Sequence, residues 1–238
     1  MTRTTDLPTP AIALAIAAHP DDVEFQAGAT LAKWAAAGCA VHHLILTDGS
    51  KGSWNPSDDQ AVLVARREDE QRSAAVRLGG APERVRFLRW RDGELEAGPR
   101  QQAQVAAAIR EVRPDVVLGH DPWRRYRLHP DHRNAGWLTT DGIVAARDPH
   151  FFPELAIPHH RPSALLLWEA DEADHDEVVD EAAVDAKIAA LLEHTTQFRS
   201  THGITDPSDD AQRTAFGDRI RERMGTPLTE SFKLINRL

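Results

Sequence analysis

The chain has 238 residues, of which 41% are hydrophobic and 27% are charged. These values suit one globular domain with a sizeable core, and they exclude disordered, collagen-like and low-complexity proteins. The longest apolar stretch, residues 11–18, is far shorter than the roughly 20 residues of a membrane-spanning helix, and it does not read as a secretory signal. The formal net charge of −9 argues against nucleic acid as a partner, because phosphate binding depends on Lys and Arg.

In chain order, residues 11–18 are predicted as a buried strand, 23–37 as a helix, 40–46 as a strand and 47–58 as a loop. A long helix then ends at Gly79-Gly80. The remaining predicted strands are 85–90, 116–119 and 164–169, and the remaining helices lie near 100–112, 133–146, 181–194 and 210–223. The acidic stretch 169–181 is predicted as a solvated loop. Apolar strands alternating with helices predict an α/β fold, a single Rossmann-like three-layer domain over residues 1–238 with a mostly parallel sheet.

Cysteine and histidine usage limits the kind of site that the chain can build. Cys39 is the only cysteine, so the sequence offers no internal disulfide and favours a cytoplasmic location. Any metal site must therefore be built from histidines and carboxylates, and twelve histidines are available. In open α/β sheets such sites form at the carboxyl ends of the strands, so the loops that follow the predicted strands are where chemistry is expected.

Two His-Pro-Asp sequences lie in such loops. HPDD (19–22) follows the strand at 11–18, and HPDH (129–132) follows the strand at 116–119. Because proline favours the first position of a helix, each tetrad predicts a helix start with histidine at the cap. Residues three apart share a face of such a turn, so the first and last residues of each tetrad can converge on one point.

Two imidazoles and a carboxylate with open positions are typical of a catalytic metal site, most often zinc, with iron(II) as the alternative. Asp21 would then remain beside the metal, placed to take a proton from a water. A purely structural interpretation is also available, because Asp21 and Asp22 suit a helix N-terminus. It does not extend to the second tetrad, since a charged histidine opposes the helix dipole there.

Several longer segments resemble one enzyme family. They are AAHPDDVEFQAGATLAK (17–33), LTDGSKG (46–52), LRWRDGEL (88–95) and RPDVVLGHDPWRRYRLHPDHRNAG (113–136), with weaker matches at 187–198 and 229–235. Together they resemble the LmbE-like (PIG-L) zinc-dependent N-deacetylases over nearly the whole chain. The resemblance implies a hydrolase that removes an N-acetyl or other N-acyl group from an N-acetylglucosamine-type substrate, by attack of a metal-bound water on the amide.

The resemblance also implies a role for each matching residue. The family's metal ligands correspond to His19, Asp22 and His132. Asp21 corresponds to the general base, and His129 to the residue that stabilises the oxyanion, with Asp131 orienting His129. Arg67 and Asp92 correspond to positions that contact the sugar. Arg67 also belongs to a charged run, Arg66 to Glu70, which could instead be a solvated helix face.

One departure from the family pattern concerns tyrosine. Family members often carry a tyrosine two residues before the second tetrad, whereas Tyr126 lies three residues before His129. It stands among three arginines, which could meet an anionic group of the substrate or simply solvate the loop. The loops at 47–58, 120–128 and 148–162 are expected to contact the part of the substrate beyond the amide-bearing sugar.

The other histidines and the tryptophans receive simpler predictions. His120 ends a strand near the site and could support a metal ligand. Loop positions place three histidines in solvent: His159, His160 and His202. His175 and His194 match weak family positions without a derivable role. Three tryptophans on predicted elements are expected in the core: Trp34, Trp137 and Trp168.

Two other functions stay open at this point. An amidase of the same fold could act on a thiol conjugate or an acylated natural product. A relative that kept the fold and lost catalysis could serve as a binding or regulatory protein, although Asp21 and all three ligand positions are present. The resemblance also leaves a homo-oligomer open, because family members are often oligomeric.

Overall fold

The central strands are apolar along almost their whole length, so both of their faces must be covered. The computed structural model describes residues 3–238. Its strands are β1 (Thr4–Thr5), β2 (Ile12–Ala17), β3 (Ala40–Thr47), β4 (Val85–Trp90), β5 (Val116–His120), β6 (Ala164–Trp168), β7 (His175–Val178) and β8 (Thr229–Ile235). Its α-helices are α1 (Asp22–Ala36), α2 (Gln60–Arg77), α3 (Pro99–Val112), α4 (Pro130–Arg147), α5 (Glu181–Leu191) and α6 (Asp210–Met224).

The strands form one sheet in the order β1-β7-β8-β6-β5-β2-β3-β4. The five strands from β6 to β4 are parallel to one another, whereas β8 runs antiparallel to both β6 and β7. From β2 the chain moves to β3 and β4 on one side, and it later returns to β5 and β6 on the other. The topological switch point therefore lies between β2 and β5, where an open α/β sheet forms its ligand crevice.

Two apolar clusters cover the two faces of this sheet. Helices α1, α5 and α6 pack on one face around Trp34, Trp168 and Phe232, which are fully buried. Helices α3 and α4 pack on the other face around Ile109 and Leu138. The predicted single α/β domain with a mostly parallel sheet and three layers is thus confirmed in its architecture. Within residues 3–238, no helix is both long and apolar enough to cross a bilayer.

The C-terminal third contains the main departures from the predicted elements. The stretch 169–181, predicted as a solvated loop, contains β7, which lies between β1 and β8 in the sheet. Glu177 is fully buried there. Its carboxylate is not left unpaired, because Lys33 Nζ lies 2.5 Å from it and His175 Nε2 lies 3.0 Å from it. The segment 229–235, not predicted as a strand, forms β8. The segments of β7 and β8 therefore become strands by pairing with strands distant in the sequence, although they lack the continuous apolar character of the central strands.

The tryptophan prediction was correct for Trp34 and Trp168 but wrong for Trp137. Trp34 and Trp168 are fully buried, whereas Trp137 is 36% exposed. The ring of Trp137 packs edge-on against Trp123 at the surface, with ring centroids 5.3 Å apart. Helical periodicity alone could not predict which face of α4 is buried, because the buried face is the one that packs against α3 and β5.

Gly136 lets α4 approach the end of β5, and this contact should be sensitive to a single methyl group. A Cβ atom at Gly136 would lie 2.8 Å from the His120 carbonyl oxygen and 2.8 Å from the Pro122 nitrogen. Both are backbone atoms that cannot rotate away, so Gly136→Ala should lower the free energy of unfolding by about 1–3 kcal/mol. Chemical denaturation measures this. Gly217→Ala in α6 is the matched control, because its nearest neighbour is a side-chain atom of Ile188 at 3.3 Å; an equal loss in both variants would contradict the explanation.

Candidate metal and catalytic site

The two tetrads meet at the switch point because they follow the two strands that flank it. His19 lies just after β2, and His129 and His132 lie at the start of α4, which follows β5. The rings of His19 and His132 have centroids 5.1 Å apart, and those of His129 and His132 stack at 4.7 Å. The structure therefore brings together histidines that are separated by more than a hundred residues in the sequence.

The predicted helix start is confirmed for the second tetrad and wrong for the first. Helix α4 begins at Pro130 with His129 as its N-cap, whereas α1 begins at Asp22 with Asp21 as its N-cap. Asp21 has φ 97°, a left-handed conformation that costs a non-glycine residue about 1–3 kcal/mol. The predicted convergence of residues three apart still holds, because the His19 N–H donates to Asp22 Oδ2 at 2.8 Å.

Three donor groups point at one position. His19 Nδ1 lies 3.2 Å from His132 Nε2. Asp22 Oδ1 lies 3.3 Å from His132 Nε2, and Asp22 Oδ2 lies 3.4 Å from His19 Nδ1. Ligands of a tetrahedral zinc with bonds of about 2.0–2.1 Å are separated by roughly 3.3–3.4 Å. One ligand atom from each of the three residues lies within 4.8 Å of the other two, so these residues fit a divalent metal ion.

The electrostatics of the site also favour a cation. Although burial alone lowers the pKa of His19, hydrogen bonds to Asp131, Asp22 and Asp92 raise it well above its usual value. Burial alone raises the pKa of Asp22, but the neighbouring His132 and His120 hold it well below the ordinary range. Three carboxylates thus surround the imidazole ring of His19 with negative charge, which favours a positive ion beside that ring.

Asp131 and Asp92 are both directed at His19, which differs from the roles implied by the resemblance. The Asp131 carboxylate, predicted to orient His129, lies 3.0 Å from His19 Nε2 and accepts the N–H groups of Gly93 and Leu95. Asp92 Oδ1, predicted to contact the sugar, lies 3.2 Å from His19 Nε2, and Asp92 is only 5% exposed. Since a carboxylate on the far nitrogen fixes the tautomer of a metal-binding histidine, both are placed to direct the His19 Nδ1 lone pair.

His129 is held by the backbone of its own tetrad. The Asp131 N–H donates to His129 Nδ1 at 3.3 Å, so a neutral His129 ring carries its proton on Nε2. Burial and the neighbouring His19 lower the pKa of His129, which favours this neutral form. The side chain is exposed at the rim of the site and can therefore offer an N–H donor to a bound molecule.

Asp21 and Arg67 form a buried ion pair beside the three donors. Arg67 Nη2 lies 3.4 Å from Asp21 Oδ2 and donates to the Pro20 carbonyl at 2.6 Å, while Nη1 donates to the Gly49 carbonyl at 3.0 Å. Arg67 is only 3% exposed, so the alternative of a solvated helix face is wrong. Burial raises the pKa of Asp21 to about 6, although the charge of Arg67 opposes the shift.

A second layer of ionisable side chains lies behind His19, Asp22 and His132. His120, which its place at a strand end suggested as support for a metal ligand, is fully buried. Its Nε2 lies 3.3 Å from Asp22 Oδ2. Arg127 Nη1 pairs with Glu169 at 2.6 Å and lies 3.2 Å from His120 Nδ1. Glu169 was not identified from the sequence, because it follows β6 and shares no local motif with the tetrads.

The arginines around Tyr126 are already paired, and the tyrosine points outward. Arg124 and Arg127 both contact Glu169, and Arg125 contacts Asp171. Tyr126 is 92% exposed with φ 59°. The arginine run therefore ties its loop to the segment after β6. The loop at 47–58, helix α2 and the segment 195–207 line an open cavity of about 760 Å³.

Four further buried polar residues form a connected group next to Asp21, and the sequence assigned a role to none of them: Glu24, His43, Gln71 and His194. They come from α1, β3, α2 and the turn after α5. Their only sequence signal is polarity within otherwise apolar or helical segments. That signal does not separate a buried partner from a surface residue, so tertiary packing was needed to find them.

His202 contradicts the prediction of a solvent-facing histidine, because it is only 1% exposed. The segment Phe198–His202 forms a π-helical turn that directs the ring among Phe25, Phe198 and Phe216. Burial lowers the pKa of His202 to about 3. The other two loop histidines differ less from expectation: His159 is exposed, and His160 is partly buried with Nε2 2.8 Å from the Pro114 carbonyl oxygen.

The buried neutral ring of His202 should make folding stability depend on pH. The ordinary pKa is 6.5 and the folded value is about 3, so the unfolded chain binds the proton first as the pH falls. His202 therefore contributes full stability above pH 6.5 and loses it toward pH 3, at about 1.4 kcal/mol per pH unit. His202→Phe should flatten this part of the curve in denaturant titrations at several pH values. The same change at exposed His159 should not, and parallel curves for wild type and His202→Phe would contradict the account.

The fold and the site together define an α/β protein with a candidate site for a divalent metal ion at the switch point of its sheet. The sequence profile of the PIG-L family, described as GlcNAc-PI de-N-acetylase, matches residues 14–143, which is more than half of the chain. The chain belongs to this family. The resemblance that the sequence motifs indicated is thereby confirmed.

Relatives and solved structures agree with this membership. The chain is 31% identical over 188 residues to diacetylchitobiose deacetylase of Thermococcus kodakarensis, covering 78% of this chain and 69% of that protein. It is 33% identical over 231 residues to 1D-myo-inositol 2-acetamido-2-deoxy-alpha-D-glucopyranoside deacetylase of Mycolicibacterium vanbaalenii, covering 77% of this chain and 80% of the relative. N,N'-diacetylchitobiose deacetylase from Pyrococcus horikoshii superposes with a TM-score of 0.81 at 26% identity, covering 95% of this chain and 84% of that one.

Proposed function

We propose that this chain is an N-deacetylase that hydrolyses the N-acetyl, or another N-acyl, amide of an N-acetylglucosamine-type substrate, and that it depends on a divalent metal ion. Zinc is the favoured ion and iron(II) the alternative. The observation that carries the proposal is the set of His19, Asp22 and His132 donors, 3.2–3.4 Å apart and adjacent to buried Asp21. The deacetylase relatives supply the bond and the substrate class.

In this proposal His19, Asp22 and His132 hold the metal, and Asp131 and Asp92 keep His19 Nδ1 free for it. When bound, a divalent cation supplies Lewis-acid polarisation of the amide carbonyl and lowers the pKa of a water. The cation requirement is supported by the donor spacing and by the carboxylates around His19.

Asp21 is the general base of the proposed reaction. Its pKa of about 6 leaves it ionised at neutral pH yet basic enough to take a proton from the attacking water. Arg67 holds the carboxylate in place, and the proton taken up by Asp21 is then available to the departing amine. Acetate and a free amino sugar are the products.

His129 donates to the amide oxygen as negative charge develops there. The Asp131 N–H occupies Nδ1, so Nε2–H is the donor available to the substrate. Arg67 and Asp92, expected to contact the sugar, are instead assigned to Asp21 and His19, because Arg67 Nη2 lies 3.4 Å from Asp21 Oδ2 and Asp92 Oδ1 lies 3.2 Å from His19 Nε2. A cytoplasmic location stays a prediction from the single cysteine.

Acetate release is the experiment that tests the function. Zinc-loaded protein should release acetate from at least one member of a panel containing N-acetylglucosamine and N,N'-diacetylchitobiose, and Asp21→Ala should reduce turnover by at least about 10³-fold with its zinc content unchanged. Enzymatic acetate detection and metal analysis measure the two results. Loss of zinc from the variant would show that Asp21 is misassigned. No release from any sugar by a zinc-bound wild type would overturn the amino-sugar assignment and favour an amidase of other acyl compounds.

Removal of the metal should abolish the activity reversibly. Dialysis against a chelator such as dipicolinate is expected to leave the fold intact, because the sheet and both apolar clusters do not depend on the three donors. Adding zinc or iron(II) to the stripped protein should restore acetate release, and His132→Ala should bind neither ion stoichiometrically. Full activity in protein shown by metal analysis to be metal-free would contradict metal dependence.

A further inference from the structure

The backbone of Asp21 is held by a residue from another helix. Asp21 stands at the N-cap of α1 with φ 97° and ψ −27°, a conformation that an aspartate rarely adopts. Its N–H does not bond within α1; it donates to Gln71 Oε1 of helix α2 at 2.9 Å. Such a conformation persists only where surrounding groups determine it. Gln71 binds the N–H of this peptide, and Arg67 binds its carbonyl oxygen, that of Pro20.

Gln71 is itself fixed in one orientation. It is fully buried, and its Nε2 donates to Glu24 Oε1 at 2.7 Å. His43 Nδ1 lies 3.2 Å from the same Nε2. Because Glu24 requires a donor on that side, the amide oxygen of Gln71 must face the Asp21 N–H, and the side chain cannot exchange its two ends.

The far end of this chain of contacts is anchored in the core. The Glu24 carboxylate lies 3.3 Å from His194 Nε2, and both residues are fully buried. Glu24 is in α1 and His194 follows α5, so α1, α2 and the turn after α5 all contribute to the position of one peptide. On its other side, Asp21 is held by Arg67, which also comes from α2.

We propose that Gln71 is a positioning residue for the reaction, which acts by holding the Asp21 peptide in its left-handed conformation so that the carboxylate stands beside the three metal-binding donors. The inference rests on the proposed function, because it takes Asp21 as the general base. Gln71 does not touch the substrate in this account; it acts through Asp21 alone. Its loss should therefore lower kcat and leave KM and zinc affinity nearly unchanged.

The variant that tests this is Gln71→Met, which keeps the length of the side chain and removes both polar ends. We expect kcat for acetate release to fall roughly 10- to 100-fold, since small displacements of a catalytic group have effects of this size. KM should stay within about twofold, and zinc affinity, from competition with a chelator, should match the wild type. Amide hydrogen exchange followed by NMR should show lost protection at Asp21, a readout independent of turnover.

A double-mutant cycle separates positioning from general destabilisation. If Gln71 acts only through Asp21, adding Gln71→Met to Asp21→Ala should leave the residual rate of Asp21→Ala unchanged. Gln101→Met is the matched control, because Gln101 is also buried but lies in α3 on the opposite face of the sheet. It should keep wild-type kcat. Gln71→Asn, which retains the amide, serves if Gln71→Met does not fold, and it should lower kcat in the same direction.

The outcomes are distinct from those for the function itself. An active wild type with unchanged kcat in Gln71→Met, an equal fold-loss in the Asp21→Ala background, or a parallel loss of zinc affinity would each overturn the positioning role. A wild type that releases no acetate would overturn the proposed function, and the role of Gln71 with it, whatever the exchange data show.

Discussion

Buried negative charge around His19 is the constraint on which the site depends. Asp22, Asp92 and Asp131 all place carboxylate oxygens within 3.4 Å of this one ring. Charges removed from water are costly unless they are paired or bind a metal. The histidines offset part of that cost, and a divalent cation at the three convergent donors would offset the rest. The arrangement explains why so polar a cluster is stable at the edge of an apolar sheet.

Backbone N–H groups, as well as side chains, fix the orientation of these carboxylates. Asp131 accepts from Gly93 and Leu95, and Asp92 accepts from Lys51. These donors lie in the loops after β3 and β4, so the strands that carry no tetrad still fix the orientation of the site. Peptide donors cannot rotate away like a lysine or an arginine. The loops after β2, β3 and β4 are thereby locked to the start of α4 in one geometry.

Asp21, the proposed general base, occupies a different environment from Asp22, the proposed metal ligand. Asp22 has a pKa well below its usual range because histidines surround it, whereas burial raises the pKa of adjacent Asp21 to about 6. Two neighbouring aspartates are thus directed to opposite tasks, one suited to hold a cation and one suited to exchange a proton. The separation arises because three imidazoles lie within 3.4 Å of the Asp22 carboxylate, whereas the Asp21 carboxylate pairs with Arg67 of α2.

The sequence alone predicted the features that depend on local spacing. Apolar strands of the right length predicted the parallel sheet. The two tetrads predicted that His19 converges with Asp22, and His129 with His132, at one edge of that sheet, because residues three apart share a helical face. The family motifs led to the same residues, and the family itself is confirmed.

Tertiary structure decided what each of the other polar groups contacts. Asp131 binds His19 rather than orienting His129 with its carboxylate, Arg67 binds Asp21 rather than lying open to solvent, and His202 lies among phenylalanines. The C-terminal strands β7 and β8 likewise form because neighbouring strands pair with them, not because their own residues alternate clearly. A helical or strand period fixes which residues share a face. The partner that this face meets depends on how helices and strands distant in the chain pack together, and that packing is settled only by the whole fold.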